Sequence, residues 1–197
     1  MPNAHIIGLG HYVPEKKVTN EDLSKLMDTS DKWILDRTGI QERRFAKQGE
    51  GPSDLAIPAV KEAIKKSNIS KEEIDFIIFA TSTPDYYVPG SSCIFQEKMN
   101  FSNIGALDIR VQCSGFIYAI SIAEQYIKTG QFKNILVIGA EVQSTAMDLT
   151  TNGRDTAIIF ADGAGAAIIS NSKKGGKILS THLHSEGKYA KELWVES

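Results

Sequence analysis

Across residues 114–128, apolar side chains fall on nearly every side of what would be one helix. They are Phe116, Ile117, Ala119, Ile120, Ile122, Ala123, Tyr126 and Ile127. A helix with so little polar face belongs between layers of structure rather than on a surface. Gly130 supplies a natural stop. The fold must therefore provide a sheet for this helix to cover.

Strand-like segments occur at the right intervals. Residues 5–9, 74–80, 106–111 and 135–139 are apolar runs of buried-strand length, the first ending at a Gly10 turn. Between them lie helical stretches at 20–26, 31–37, from Ser53 onward, and at 91–99, with Asn20 and Asp31 available as caps. In the helix from Ser53, Leu55, Ala59, Val60, Ala63 and Ile64 share a face, and Pro58 is placed near the first turn, where proline is tolerated. Asp162-Gly163, between the strand-like residues 157–161 and 164–170, predicts a hairpin with an antiparallel strand at the sheet edge. The alternation predicts an α/β fold: a mixed, mainly parallel sheet with helices on both faces.

Charge and cysteine usage narrow the partners. Lys plus Arg number 22 against 24 Asp plus Glu, a net charge of −2, so no basic excess favours nucleic acid. The N-terminus lacks the pattern of a signal peptide, and no apolar run approaches the ~18 residues of a membrane span. Two cysteines, Cys93 and Cys113, make neither a disulfide framework nor a zinc set. A cytoplasmic protein is expected.

Cys113 is the most informative residue. It stands between a predicted strand and the apolar helix, where the positive end of the helix dipole favours thiolate over thiol. Gly115 removes a side chain beside the thiol, and backbone N–H groups at such a turn can stabilise an oxyanion. The competing reading is a small buried hydrophobe. Cys93, without such a turn, is assigned to the core. His5, His11, His182 and His184 offer no obvious partner for Cys113, although His182 and His184 alternate in a strand-like segment and share a face. The glycines of residues 162–167 precede a strand-like stretch, so they do not form a dinucleotide loop. Trp33 and Arg37, four apart, share a helix face, and with Arg154 they are candidates for a ligand site. Indole stacks on purine rings, and guanidinium stacks or holds phosphate. The alternative is an amphipathic helix with one buried indole and a solvated arginine.

These residues belong to a wider pattern. Residues 28–34 (Asp-Thr-Ser-Asp-Lys-Trp-Ile), 37–40 (Arg-Thr-Gly-Ile), 112–116 (Gln-Cys-Ser-Gly-Phe), 153–156 (Gly-Arg-Asp-Thr), 160–166 and 183–187 together resemble β-ketoacyl-[acyl-carrier-protein] synthase III. That family is the initiating condensing enzyme of type II fatty-acid synthesis, of the thiolase-like fold. The resemblance implies that Cys113 is the nucleophile, acylated by an acyl-CoA primer before decarboxylative condensation with malonyl-acyl-carrier protein. It implies that Trp33 and Arg154 sandwich the CoA adenine, with Thr29 and Arg37 at the same end. CoA is then a substrate, with no cofactor or metal, and the chain is expected to form a homodimer.

The same resemblance divides the chain into residues 1–170, a thiolase-like half carrying the nucleophile, and 171–197, a connection toward a second half. The family's catalytic His and Asn belong to that second half, beyond this sequence; His182 and His184 do not match that His. Val88 stands where acetyl-specific members often carry a bulky aromatic, which leaves room for a longer or branched primer. Two further readings remain: a related acyltransferase or synthase of secondary metabolism, and a non-catalytic half-chain.

Overall fold

The computed structural model describes residues 2–194. In chain order its strands are β1 (His5–Tyr12), β2 (Lys16–Thr19), β3 (Glu42–Phe45), β4 (Phe76–Ala80), β5 (Gly105–Ile109), β6 (Asn134–Val142), β7 (Asp162–Ser170) and β8 (Gly176–Lys177). Its helices are α1 (Asn20–Ser24), α2 (Asp31–Thr38), α3 (Pro52–Ser67), α4 (Ser91–Lys98), α5 (Gly115–Thr129) and α6 (Arg154–Ala157). Six strands form one sheet in the order β5-β4-β6-β7-β1-β8, and β2 and β3 form a separate antiparallel ribbon. Strands β5, β4 and β6 pair in parallel, while β7 runs antiparallel to both β6 and β1. Four of the six strands thus point the same way, giving the expected mixed sheet.

Both faces of the central strands are buried, and their alternation assigns each side chain to a layer. Ile77, Phe79, Leu136, Ile138, Ala166 and Ile168 join Leu55, Ala56, Ala59, Val60 and Ala63 of α3 in one core. Their neighbours Ile78, Ile135, Val137, Ala167 and Ile169 face the other way, onto Ala119, Ala123 and Ile127 of α5. A third, smaller core gathers Val18, Leu23, Ile34 and Phe45 with Ala157 and Ile158 beneath the ribbon.

The apolar helix α5 does lie on the sheet, and its outer side is partly covered by the chain after β8. Ser121 Oγ and Thr181 Oγ1 are 3.1 Å apart, and the Ile178 N–H donates to the Ala4 carbonyl at 3.0 Å. Ile117 stays half exposed.

Several local expectations change. Gly10 is not a turn but an interior residue of β1, because α3 crosses it closely. A Cβ there would stand 2.0 Å from the Ala59 carbonyl oxygen, and one at Gly8 2.3 Å from that of Ala63. Asp162-Gly163 is not a hairpin turn, and residues 157–161 are not a strand. Asp162 opens β7 as a buried carboxylate that accepts from the Ala46 N–H at 2.6 Å and the Ser144 N–H at 2.8 Å. Strand β7 consequently sits inside the sheet rather than at its edge. Helices α1 and α2 are capped by Thr19 and Ser30, one residue before the expected caps, while Asn20 is buried and donates to Asp31 and the Ile40 carbonyl. Pro58 lies inside α3, beyond the first turn. Cys93 is exposed, since α4 buries Ser91, Ser92 and Phe95 instead. His182 and His184 are exposed and lie in no strand.

Candidate active site

The carboxyl ends of β4, β5 and β6 share one edge of the sheet, where ligands bind in open α/β folds. The connection from β6 to antiparallel β7 returns to the same edge, bringing α6 with it. The segment from the end of β1 to the start of α3, which carries the ribbon and α2, also lies on this side.

Cys113 occupies this edge. After β5 the chain passes through Val111, at φ −129° and ψ 31°, and Gln112, at φ +44°, into a single 3₁₀ turn (Gln112–Ser114) that leads directly into α5. A non-glycine residue with positive φ is strained, and such strain persists only where surrounding contacts hold it. Here the Ser114 hydroxyl donates back to the Val111 carbonyl at 3.0 Å. Gly115 is buried, and a Cβ on it would lie 3.1 Å from Cβ of Ala80, so its missing side chain also serves packing. The first turn of α5 thereby presses against the end of β4. The outcome is an exposed thiol on a strained strand-to-helix turn, preceding a 15-residue helix. The buried-hydrophobe reading of Cys113 does not hold here.

None of the four histidines hydrogen-bonds to Cys113 among the described residues. His11 pairs with Glu62 at 3.4 Å, His5 is buried in β1, and His182 lies 3.0 Å from the Ser180 hydroxyl.

A second cluster forms around Trp33. The Ser30 hydroxyl caps α2 by accepting from the Trp33 N–H, which fixes the start of the helix. The Arg37 guanidinium carbon lies 3.9 Å from the indole centroid, and that of Arg154 lies 4.5 Å from it. Arg154 Nη1 also donates to the Asp28 carbonyl at 2.9 Å, while the Asp28 N–H donates to Thr151 Oγ1 at 2.9 Å. Gly153 permits the tight approach of this segment, because a Cβ there would meet the Asp148 carbonyl oxygen at 2.1 Å. Thr29 lies beside them, its hydroxyl buried without a hydrogen-bond partner. Trp33 is half-buried against the third core, and the guanidinium groups of exposed Arg37 and of Arg154 both lie over its indole. Trp33, Arg37 and Arg154 come together; no hydrogen bond or ion pair among the described residues joins them to Cys113.

Between β4 and β6 the same edge holds a feature with no distinct sequence signal. Glu141 accepts from the Ser82 N–H at 2.8 Å, the Ser82 hydroxyl at 3.0 Å and the Thr83 hydroxyl at 2.6 Å. Thr83 Oγ1 in turn accepts from the Val142 N–H at 2.9 Å. These bonds hold one wall of a cavity of about 820 Å³, lined by Ser82, Thr83, Asp85, Tyr86, Arg110 and Val142 among others. On its far side, Lys98 pairs with Asp54 at 2.6 Å and donates to Ser53 at 2.8 Å. The loop that follows is bare: Tyr87, which also lines the cavity, is 94% and Val88 86% exposed.

Among the described residues no group of three or more His, Cys, Asp and Glu side chains is placed to hold a metal, and no helix is long and apolar enough to cross a membrane.

Known proteins share this sequence pattern and this fold. Residues 107–187 match the family model described as 3-oxoacyl-[acyl-carrier-protein (ACP)] synthase III. The chain is 49% identical to the β-ketoacyl-[acyl-carrier-protein] synthase III of Clostridioides difficile (strain 630), over 94% of this chain and 56% of that protein. It is 50% identical to the enzyme of that name from Clostridium acetobutylicum, over 95% of this chain and 56% of the relative. The crystal structure of 3-oxoacyl-[acyl-carrier-protein] synthase III from Aquifex aeolicus VF5 superposes with a TM-score of 0.89 at 46% identity, covering 94% of this chain and 59% of that one. The chain thus spans less than two thirds of the relatives it matches. In both sequence and fold it is similar to part of the β-ketoacyl-[acyl-carrier-protein] synthase III proteins it matches.

Proposed function

We propose that this chain carries the acyl-accepting part of an initiating condensing enzyme of type II fatty-acid synthesis. An acyl-CoA primer binds with its adenine between Trp33 and Arg154, with Thr29 and Arg37 at the nucleotide end. The Cys113 sulfur attacks the thioester carbonyl, CoA leaves as the thiol, and the acyl group remains on Cys113. Malonyl-acyl-carrier protein then loses CO₂, and the resulting carbanion attacks the acyl-Cys113 carbonyl. Cys113 is freed and a β-ketoacyl-acyl-carrier protein departs. CoA is a substrate in this scheme, which calls on no resident cofactor or metal. Residues 1–170 form the nucleophile-bearing half, and 171–197 lead toward the half that supplies the catalytic His and Asn. The working form is a cytoplasmic homodimer in which a partner chain completes the acyl pocket.

The observation that carries this reading is the strained turn at Gln112, which presents an exposed Cys113 at the head of α5. Incubation with an acyl-CoA, followed by proteolysis and mass analysis, tests it. The acyl group is expected on the Cys113 peptide and is lost in Cys113→Ala; an acyl group found only on Cys93 overturns the assignment. Run with acetyl-, butyryl- and octanoyl-CoA, the same assay tests whether Val88 leaves room for primers longer than acetyl. A clear preference for acetyl-CoA would reject that part.

A further inference from the structure

The Trp33 cluster is closed to the ligand it is suited to hold. A planar base stacked between the indole and a guanidinium needs about 7 Å between them, two van der Waals spacings. The guanidinium carbon of Arg154 lies only 4.5 Å from the indole centroid, so Arg154 fills the space a base would occupy. Arg37 is closer still, at 3.9 Å, but it shares α2 with Trp33 four residues away, and their contact moves with the helix. The Arg154 contact is different in kind, because it joins two segments more than a hundred residues apart.

Two hydrogen bonds through one residue hold that contact. The Asp28 carbonyl accepts from Arg154 Nη1, and the Asp28 N–H donates to Thr151 Oγ1, each at 2.9 Å. Thr151 and Arg154 sit on consecutive short turns, so the pair clasps the 151–154 segment against the residue preceding the Thr29-Ser30 cap. Asp28 and Thr151 are both exposed, and water can replace this clasp.

We infer that Thr151, through Asp28, is a strap that keeps Arg154 folded onto Trp33 in the ligand-free protein, and that an adenine nucleotide binds only after Arg154 has swung away. This inference rests on the adenine reading of the site and adds that the free site occludes itself. When the competent form is a minor population, the apparent dissociation constant rises by the inverse of that population. Loosening the strap therefore tightens binding, whereas loss of a merely structural contact weakens it.

The test uses CoA as the probe. The chain has two tryptophans, so Trp194→Phe leaves Trp33 as the sole indole. In that background Thr151→Val removes the hydroxyl at nearly constant shape, and Thr151→Ser retains it. The expected result is CoA binding roughly three- to tenfold tighter in Thr151→Val, as a larger open population requires, with Thr151→Ser matching the parent. Acrylamide quenching of Trp33 without CoA should also rise in Thr151→Val. Unchanged or weaker CoA binding in Thr151→Val, with the parent binding saturably, overturns the strap and leaves the adenine site standing. An absence of saturable CoA binding in the parent at millimolar concentration overturns both. Should Thr151→Val lose its native circular dichroism, titrating the parent with urea below its transition gives the same readout: rising CoA affinity supports the strap and falling affinity sinks it.

Discussion

The interior of the sheet and its carboxyl edge are built on opposite principles. Inside, Ile77, Phe79, Leu136 and Ile138 are fully buried, and strand pairing satisfies the backbone. Stability there comes from area removed from water, roughly 25 cal/mol per Å² of apolar surface. At the edge, order comes from carboxylates with several donors each. Glu141 collects Ser82 and Thr83, Asp162 collects Ala46 and Ser144, and Asp108 collects the N–H and hydroxyl of Ser92. Among the described residues none of the three has a cationic side chain in ion-pair contact, so oriented dipoles surround each carboxylate. The interior resists change of shape, and the edge resists loss of hydrogen bonds. Chemistry belongs on the second, where side chains can be re-aimed without repacking a core.

Three substitutions probe this contrast. The largest effect is expected from Gly10→Val in the interior, because the new Cβ would collide with backbone atoms of α3 that have no rotamer to change. Overpacking of this kind costs about 3 kcal/mol or more, read as a lower urea midpoint; a change under ~1 kcal/mol would show that α3 is not pressed on β1.

At the edge, Glu141→Ala strips the acceptor from Ser82 and Thr83 and is expected to cost about 1–3 kcal/mol, the usual cost of stranding partly buried donors. Its distinguishing sign is local: proteolysis or hydrogen exchange should rise in residues 81–87 ahead of the strands. Uniform loosening of the whole sheet would erase the distinction between the two regions.

The smallest effect is expected at Asp22, in the capping box of α1. The Lys25 ammonium, then the Thr19 N–H and hydroxyl, hold its carboxyl down to about 2 from 3.8. A depressed pKa stabilises the fold at pH values above the unfolded value and ceases to do so as pH falls through the folded one. The stability gap between the parent and Asp22→Asn should therefore be constant above about pH 5, shrink from 3.8 toward 2, and fade with added salt, since the group is exposed. A gap that grows on acidification would reverse the assignment.

How much was legible in the sequence follows the same division. The strands β1, β4, β5, β6 and β7 and the helices α3 and α5 could be placed because each carries its own apolar run or period. The short β2, β3 and β8 carry none and went unread. Cys113 could be singled out because a strand, a thiol and a helix follow in sequence. Trp33 and Arg37 share a helix face, but bringing Arg154 to them required the family resemblance, since that contact spans more than a hundred residues. The interior misreadings have one cause: Gly10 and Asp162 look like turn residues locally, yet one makes room for α3 and the other is held by Ala46, 116 residues away. The Glu141 cluster left no local trace, because a strand-end glutamate and a Thr-Ser-Thr loop are unremarkable until they are paired.

The position of β7 between β6 and β1 bears on synthesis. Strand β1 precedes the other described strands, yet its long pairing, His5 with Ser170 through Tyr12 with Ala164, waits for the end of β7. At ribosomal speeds of roughly 5–20 residues per second, that wait is on the order of ten to thirty seconds. Throughout it, an apolar strand has two unpaired edges. Until then β1 must be sheltered by other means, and α3, completed at Ser67, is the first element packed over it.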